Sequence, residues 1–218
     1  MNIIKPYAEL MDVPDLETGI KLLKKIEWCA RISHRAEDQQ KEDSWKRFVT
    51  SVVIDHGDWS VVEHASATVD FYVDRGITHE IVRHRLFSFT QESTRFVNYD
   101  KKIEPSFVCP FPGSDDRCIP WQVGIEAVEE TYKTLIRQGV APQLARSVFP
   151  NALASRLIVT GNLRNWRHFF IMRTTREAHP QMREVTIPLL AQFKERIPIL
   201  YDDIEPNAKQ SEGMKRGR

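Results

Sequence analysis

The side chains best equipped for chemistry fall in two short stretches of this sequence. The first is Arg83-His84-Arg85-Leu86-Phe87-Ser88-Phe89-Thr90-Gln91-Glu92-Ser93-Thr94-Arg95-Phe96, where three arginines and a histidine lie among apolar and hydroxyl side chains. A solvated basic face usually alternates Lys with Glu. Here the neighbours are Phe, Leu, Ser and Thr, which suits Arg heads held in a part-buried site. The guanidinium fork binds phosphates and carboxylates through two parallel hydrogen bonds, so such a cluster serves an anionic ligand or a set of structural ion pairs. Spacing alone leaves both open. The second stretch is Asn162-Leu163-Arg164-Asn165-Trp166-Arg167-His168-Phe169-Phe170-Ile171-Met172-Arg173. On a helix Arg164, His168 and Met172 share one side, while Asn162, Asn165 and Phe169 share another. That reads as an amphipathic helix with a charged outer face, or as Arg164 and His168 gripping a ligand one turn apart.

Other chemistries fit less well. His79-Glu80-Ile81-Val82-Arg83-His84 looks like a zinc-protease helix. Its second His comes at i+5, where the side chains diverge by roughly 140°, rather than at i+4. The nine glycines never approach G-x-G-x-x-G or G-x-x-x-x-G-K, so phosphates would be cradled by side chains. A nucleic-acid-binding module could use the arginines with Phe87, Phe89 and Phe96 for charge and stacking. Against it, Lys plus Arg number 31 and Asp plus Glu 30, and the basic patch is short. Three cysteines, Cys29, Cys109 and Cys118, keep no metal-ligand spacing and are expected to pack rather than react. The start of the chain lacks the pattern of a signal peptide, and no apolar run reaches the ~18 residues a membrane span needs. A reducing cytoplasm is the expected location.

The elements that must carry these residues read as a mixture. Leu16 to Ile32 has helical periodicity through Ile20, Leu23, Ile26 and Ala30. Ser44 is placed to cap a helix through Trp45, Phe48, Val52 and Ile54 that ends near Gly57. Ala65, Ala67, Val69, Phe71 and Val73 alternate as a half-buried strand. After Gly76, a short helix is expected over Ile77 to Arg85. Pro105 to Pro120 holds four of the twelve prolines and reads as a loop around a short Phe107-Val108 strand. Helices follow over Gly124 to Arg137 and Ala141 to Val148, then a strand over Leu153 to Thr160. Asn162 is placed to cap the next helix. A last helix runs from Ala178 past Leu190, with Pro188 expected to kink or break it. The pattern is one α+β domain over residues 1–218, with a disordered tail over about 209–218.

Together the two stretches resemble the flavin-dependent thymidylate synthase family. Arg83-His84-Arg85, seven residues and then Ser93 match its signature, with Ser88 and Arg95 extending the match. Ala30-Arg31-Ile32-Ser33 and His56-Gly57-Asp58-Trp59-Ser60-Val61-Val62-Glu63-His64 resemble upstream family segments, and Ala145-Arg146, Asn162-Leu163-Arg164, His168 and Arg173 fall at the family's spacing. Five segments in order, over roughly residues 28 to 190, make the likeness specific. The chain departs from the common pattern at Thr90-Gln91, where many members have Asn-Glu, and at Ala178-His179-Pro180-Gln181, where Ala-Gln-Trp-Glu is common.

The resemblance implies an antiparallel sheet flanked by helices, and a homotetramer whose active sites are each built from several subunits. It implies reductive methylation of dUMP, with FAD as cofactor and methylenetetrahydrofolate and a reduced nicotinamide such as NADPH as co-substrates. FAD would touch Ser60, Arg83, His84, Arg85, Gln91, Asn162, Arg164 and His168. Glu80, Arg83, Gln91, Glu92, Ser93, Thr94, Arg95 and Arg146 would hold dUMP, and Arg173 would sit against the pyrimidine and favour its ionisation. A relative that makes another 5-substituted dUMP, such as a hydroxymethylated one, fits the same residues. The Gln91 side chain is expected among Arg83, Arg85 and Arg95.

Overall fold

The computed structural model describes residues 1–101, 103–111 and 115–209. The tail expected to be disordered lies outside these, apart from Lys209. In chain order the elements are β1 (Asn2–Ile4), β2 (Tyr7–Leu10), α1 (Leu16–Arg31), α2 (Ser44–Phe48), β3 (Ser66–Asp74), α3 (Arg75–Ile81), β4 (Ser88–Gln91), β5 (Ser106–Val108), α4 (Cys118–Arg137), α5 (Pro142–Ala145), β6 (Ala154–Asn162), α6 (Leu163–Arg173) and α7 (Pro180–Arg196). The chain divides into two compact units. The first comprises Met1–Tyr7, Phe71–Arg83 and Thr90–Ile158; the second comprises Ala8–Asp70, His84–Phe89 and the chain from Val159 onward.

The expected antiparallel sheet is present, with strands in the order β2-β3-β6-β4. Its direction follows from the bonds. Leu163 N donates to Ala65 O at 2.9 Å, Thr68 and Thr160 hydroxyls meet at 3.0 Å, and Arg75 N donates to Leu153 O at 3.0 Å. Residue numbers rise on β3 as they fall on β6, which only antiparallel strands allow. The alternation read from Ala65 to Val73 holds, since Ala65, Ala67, Val69, Phe71 and Val73 are all fully buried. The first unit adds a parallel pair, β1 with β5, that no local pattern announced.

Each unit has its own core. In the first, Tyr99, Phe107, Ile125, Tyr132 and Leu153 cluster, and Tyr132 stacks on Phe149 with centroids 4.5 Å apart. The turn after α4 shows why that helix stops. Gly139 takes φ +85°, its N–H donates to Ile136 O, and Val140 N donates to Leu135 O. This closes the last carbonyls in a conformation glycine adopts without strain. In the second, Trp166, Phe169, Phe170, Phe193 and Tyr201 are all fully buried. The Trp166 indole donates to Ala67 O at 2.9 Å, so the core's largest side chain leaves no polar atom unpaired there.

Several boundaries differ from the reading of the sequence, each for a local reason. Asp74 accepts from Ile77 N at 2.7 Å, and this cap starts α3 at Arg75, with Gly76 inside it. The helix then ends at Ile81, leaving Arg83-His84-Arg85 outside it. Ser44 does not cap α2: its hydroxyl closes a local turn with the backbone of Lys41, and the helix winds on as a π-helical segment, Val49–Asp55. The proline-rich loop gives way to α4 at Cys118, with Pro120 in the first turn, where a missing N–H costs no helical bond. Helix α7 runs through Pro188 unbroken; that residue is exposed, so water can satisfy the carbonyl it leaves unpaired. Among the described residues no helix is long and apolar enough to cross a membrane.

Candidate functional site

The residues singled out from the sequence sort between the two units. Glu80, Arg83, Gln91, Glu92, Ser93, Thr94, Arg95 and Arg146 belong to the first; Ser60, His84, Arg85, Asn162, Arg164, His168 and Arg173 belong to the second.

In the first unit the segment after β4 is tied down by side chains of opposite reach. The Gln91 amide donates to the Thr78 hydroxyl at 2.9 Å and to the Ser155 hydroxyl at 3.2 Å. Both hydroxyl residues are buried. Gln91 therefore spends its donors on α3 and β6, and the expectation that its amide faces the arginines is corrected. Glu92, just past the end of β4, finds a different partner. Its carboxylate accepts from the Tyr99 hydroxyl at 2.6 Å, and burial together with that bond pushes the Tyr99 phenol well above its usual range. Ser93 anchors a tight turn: its carbonyl accepts from Phe96 N at 3.1 Å and Val97 N at 3.0 Å. Thr94 is buried, and its hydroxyl accepts from Arg146 Nη1 at 3.0 Å. Arg95 is exposed, with its guanidinium 5.4 Å from the Phe96 ring centroid.

The second unit builds an aromatic wall around His84. Asn162 caps α6, accepting from Asn165 N at 2.8 Å, and Asn165 reaches Leu86 O at 3.2 Å. These bonds seat the segment 84–89 on the start of α6. The His84 ring lies edge-on to Phe169 at 5.0 Å, with His168 at 6.0 Å and Phe87 at 6.2 Å. Gly161 makes room for this, because a Cβ there would stand 2.0 Å from the Phe87 ring. Arg173, at the end of α6, donates from Nε to His84 Nε2 at 2.9 Å. Burial, then the Arg173 charge, then His168 push the His84 pKa down to about 4, so the ring is neutral at working pH.

Arg164 and His168 stand on the exposed side of α6, as their spacing predicts. Arg164 is not idle. Its Nη1 meets Glu63 at 2.6 Å, a half-exposed ion pair. Ser60 is exposed in the 3₁₀ turn Trp59–His64 that also carries Glu63. By contrast, Arg83, Arg85 and Arg95 have no carboxylate at ion-pair distance among the described residues. Thr78, Ser155 and Tyr99 were not singled out from the sequence. No local pattern marks them as partners of Gln91 and Glu92, which lie 7 to 64 positions away.

The three cysteines are part-buried and form no disulfide; Cys109 and Cys118 bring their Sγ atoms to 3.3 Å. Among the described residues no group of three or more His, Cys, Asp or Glu side chains could hold a metal ion. His79 and His84 do not share a helix, since α3 ends between them.

An α+β protein with uncompensated arginines, an aromatic and imidazole wall, and no glycine-rich phosphate loop is of the class equipped to bind planar, anionic ligands through side chains. Comparison with known proteins narrows the class. Residues 20–199 match the thymidylate synthase complementing protein family. The flavin-dependent thymidylate synthase of Corynebacterium efficiens is 36% identical over 168 residues, which cover 70% of this chain and 67% of that protein. That of Mycobacteroides abscessus is 38% identical over 173 residues, with 70% and 67% covered, and that of Pyrococcus furiosus is 34% identical over 198, with 86% and 78% covered. The chain belongs to this family of flavin-dependent thymidylate synthases. The fold agrees. A UMP/dUMP methylase of Streptomyces cacaoi, solved bound with 5-Br dUMP, superposes with a TM-score of 0.75 at 22% identity, over 93% of this chain and 96% of that one. A nucleic-acid-binding module is not favoured by these relatives.

Proposed function

We propose that this chain converts dUMP to dTMP with FAD as its cofactor, methylenetetrahydrofolate as carbon donor and a reduced nicotinamide, NADPH, as electron source. The observation that carries the reading beyond family membership is the neutral His84 ring, set against Phe169 and bonded to Arg173, on the unit that also holds Arg85, Asn162, Arg164 and His168. The donor set suits a flavin nucleotide: aromatic and imidazole edges for a planar ring, and arginines for its phosphates. Bound FAD would supply the hydride chemistry.

The chain's own residues bind, orient and stabilise charge. Ser60, Arg83, His84, Arg85, Gln91, Asn162, Arg164 and His168 hold the cofactor, and Arg164 does so by exchanging the Glu63 carboxylate for a phosphate. Arg83, Ser93, Thr94, Arg95 and Arg146 take the dUMP phosphate and sugar. Glu80, Gln91 and Glu92 shape that pocket, Gln91 through its bonds to Thr78 and Ser155 and Glu92 through its bond from Tyr99. Arg173 faces the pyrimidine and stabilises negative charge that grows on its ring nitrogen. No cysteine is needed as nucleophile in this scheme. We further propose that the chain forms a single cooperative domain and assembles as a homotetramer in the cytoplasm, with each active site shared between subunits.

The experiment is direct. Purified protein should be yellow, keep FAD through gel filtration at a tetramer's size, and form dTMP from dUMP and methylenetetrahydrofolate under anaerobic, reducing conditions. A colourless protein that also fails to take up added FAD would sink the proposal.

A further inference from the structure

We propose that His84 is a positioning residue for Arg173: its neutral imidazole accepts the Nε–H of Arg173 and so sets the plane in which that guanidinium meets the substrate. The inference rests on the function proposed above and gives His84 a second task beside holding the cofactor.

An arginine side chain has four rotatable carbon and nitrogen bonds, and holding it still costs rotamer entropy unless something else immobilises it first. A bond through Nε constrains the fork directly, because Nε lies at the hinge between the aliphatic stem and the planar group. Here that bond is 2.9 Å long and its acceptor is a ring. The ring is itself packed against other rings. Phe169 meets it edge-to-face at 5.0 Å and an interplanar angle of 69°, with His168 at 6.0 Å and Phe87 at 6.2 Å, and Phe87 N donates to the His84 carbonyl at 3.2 Å. The other end of the pair is also anchored, since the Thr186 hydroxyl shares its proton between the Arg173 and Met182 carbonyls at 2.9 and 2.8 Å. An arginine at a helix end is thus aimed by a histidine from a different segment.

The arrangement dictates the protonation of the imidazole. Nε2 accepts, so the proton of the neutral ring must sit on Nδ1. A protonated ring would carry N–H at both positions and could not accept from an arginine. The charged and titratable groups about it are Arg173 and His168 from α6, with Arg83 and Arg85 flanking it in the chain. Burial, then the Arg173 charge, then His168 favour the neutral form, in line with its depressed pKa.

Two variants of the FAD-loaded enzyme separate positioning from packing. His84→Phe keeps a ring against Phe169 and Phe87 but has no acceptor. His84→Gln loses the ring but can offer Oε1 near the place of Nε2. We expect His84→Phe to lower kcat about tenfold, with the KM for the nicotinamide unchanged, and His84→Gln to recover most of that loss. The decisive measurement is a cycle with Arg173→Ala, in which His84→Phe should cost little further once its client is gone. Full additivity of the two changes, or wild-type kcat in His84→Phe, overturns the proposal. A readout independent of turnover is the 15N spectrum of histidine-labelled wild-type protein. An Nδ1–H tautomer for His84 supports the proposal, and an Nε2–H tautomer refutes it even if a variant fails to fold. If wild-type protein neither takes up FAD nor makes dTMP, the parent reading has failed, and the tautomer result still judges the contact.

Discussion

The two clusters solve different problems with different materials. In the first unit the segment from Gln91 to Arg146 is a lattice of short polar bonds, with Thr78, Ser155, Tyr99 and Thr94 as its fixed points. In the second, the rings of His84 and Phe87 pack on Phe169, with side-chain bonds from Asn165 and Arg173 to the same segment. Hydroxyls and arginines suit a small anion that must be oriented through many directional bonds. Aromatic edges suit a planar group held by area, with direction supplied by one or two contacts. The contrast teaches that identical residue types find different partners: Arg146 is anchored by a hydroxyl, Arg173 by a ring nitrogen, and Arg164 by a carboxylate.

If the two regions are as distinct as this, damage in one should spare the other. The largest effect is expected from Arg173→Ala. Losing a cation that stabilises charge developing in the transition state is typically worth about 3 kcal/mol, so turnover should fall at least about a hundredfold. FAD content, read from the flavin absorption, should persist. Loss of FAD with dUMP binding intact would show that Arg173 serves the cofactor rather than the pyrimidine. Next comes Arg146→Ala. A charge-assisted bond to a phosphate is worth roughly 1.5–3 kcal/mol, so dUMP should bind about ten- to a hundredfold more weakly, again with FAD retained. Titration of dUMP into FAD-loaded protein measures both.

Gln91→Glu tests whether the first unit is a polar lattice or an electrostatic pocket. The amide now donates to two hydroxyls, and a carboxylate can only accept. The Thr78 hydroxyl already donates to Arg75 O at 2.9 Å, so it cannot serve both. The variant should lose about 1–2 kcal/mol of stability, nearly independent of salt, because the cost is an unmade buried bond rather than a screened charge. A change that appears in dUMP affinity alone and vanishes at high salt would return Gln91 to the arginines. The smallest effect belongs to Glu63→Ala. Its ion pair with Arg164 is half exposed on both sides, so stability should change by no more than about 1 kcal/mol. FAD should bind slightly tighter once Arg164 has no competitor, and weaker binding would mean that the carboxylate positions the arginine rather than occupies it.

Much of this was legible in the residues. The Arg-His-Arg segment and the Asn162-to-Arg173 helix stood out by type and spacing, and the cap, the exposed Arg164–His168 side and the buried Phe169 side follow from a helix of 3.6 residues per turn. The strand from Ala65 to Val73 announced itself by alternation. These are local properties, carried by neighbours in the chain. The parallel pairing of β1 with β5 was not legible, because each strand is only three residues long and finds its partner about a hundred residues away. Nor could sequence alone say that Gln91 turns toward Thr78 and Ser155, that Glu63 holds Arg164, or that His84 receives the Nε–H of Arg173 from 89 positions distant. Composition and periodicity determine which residues are chemically able and which face of an element they occupy. Which acceptor a given donor finds is decided by packing between segments remote in sequence, and that selection turns a set of able side chains into an oriented site.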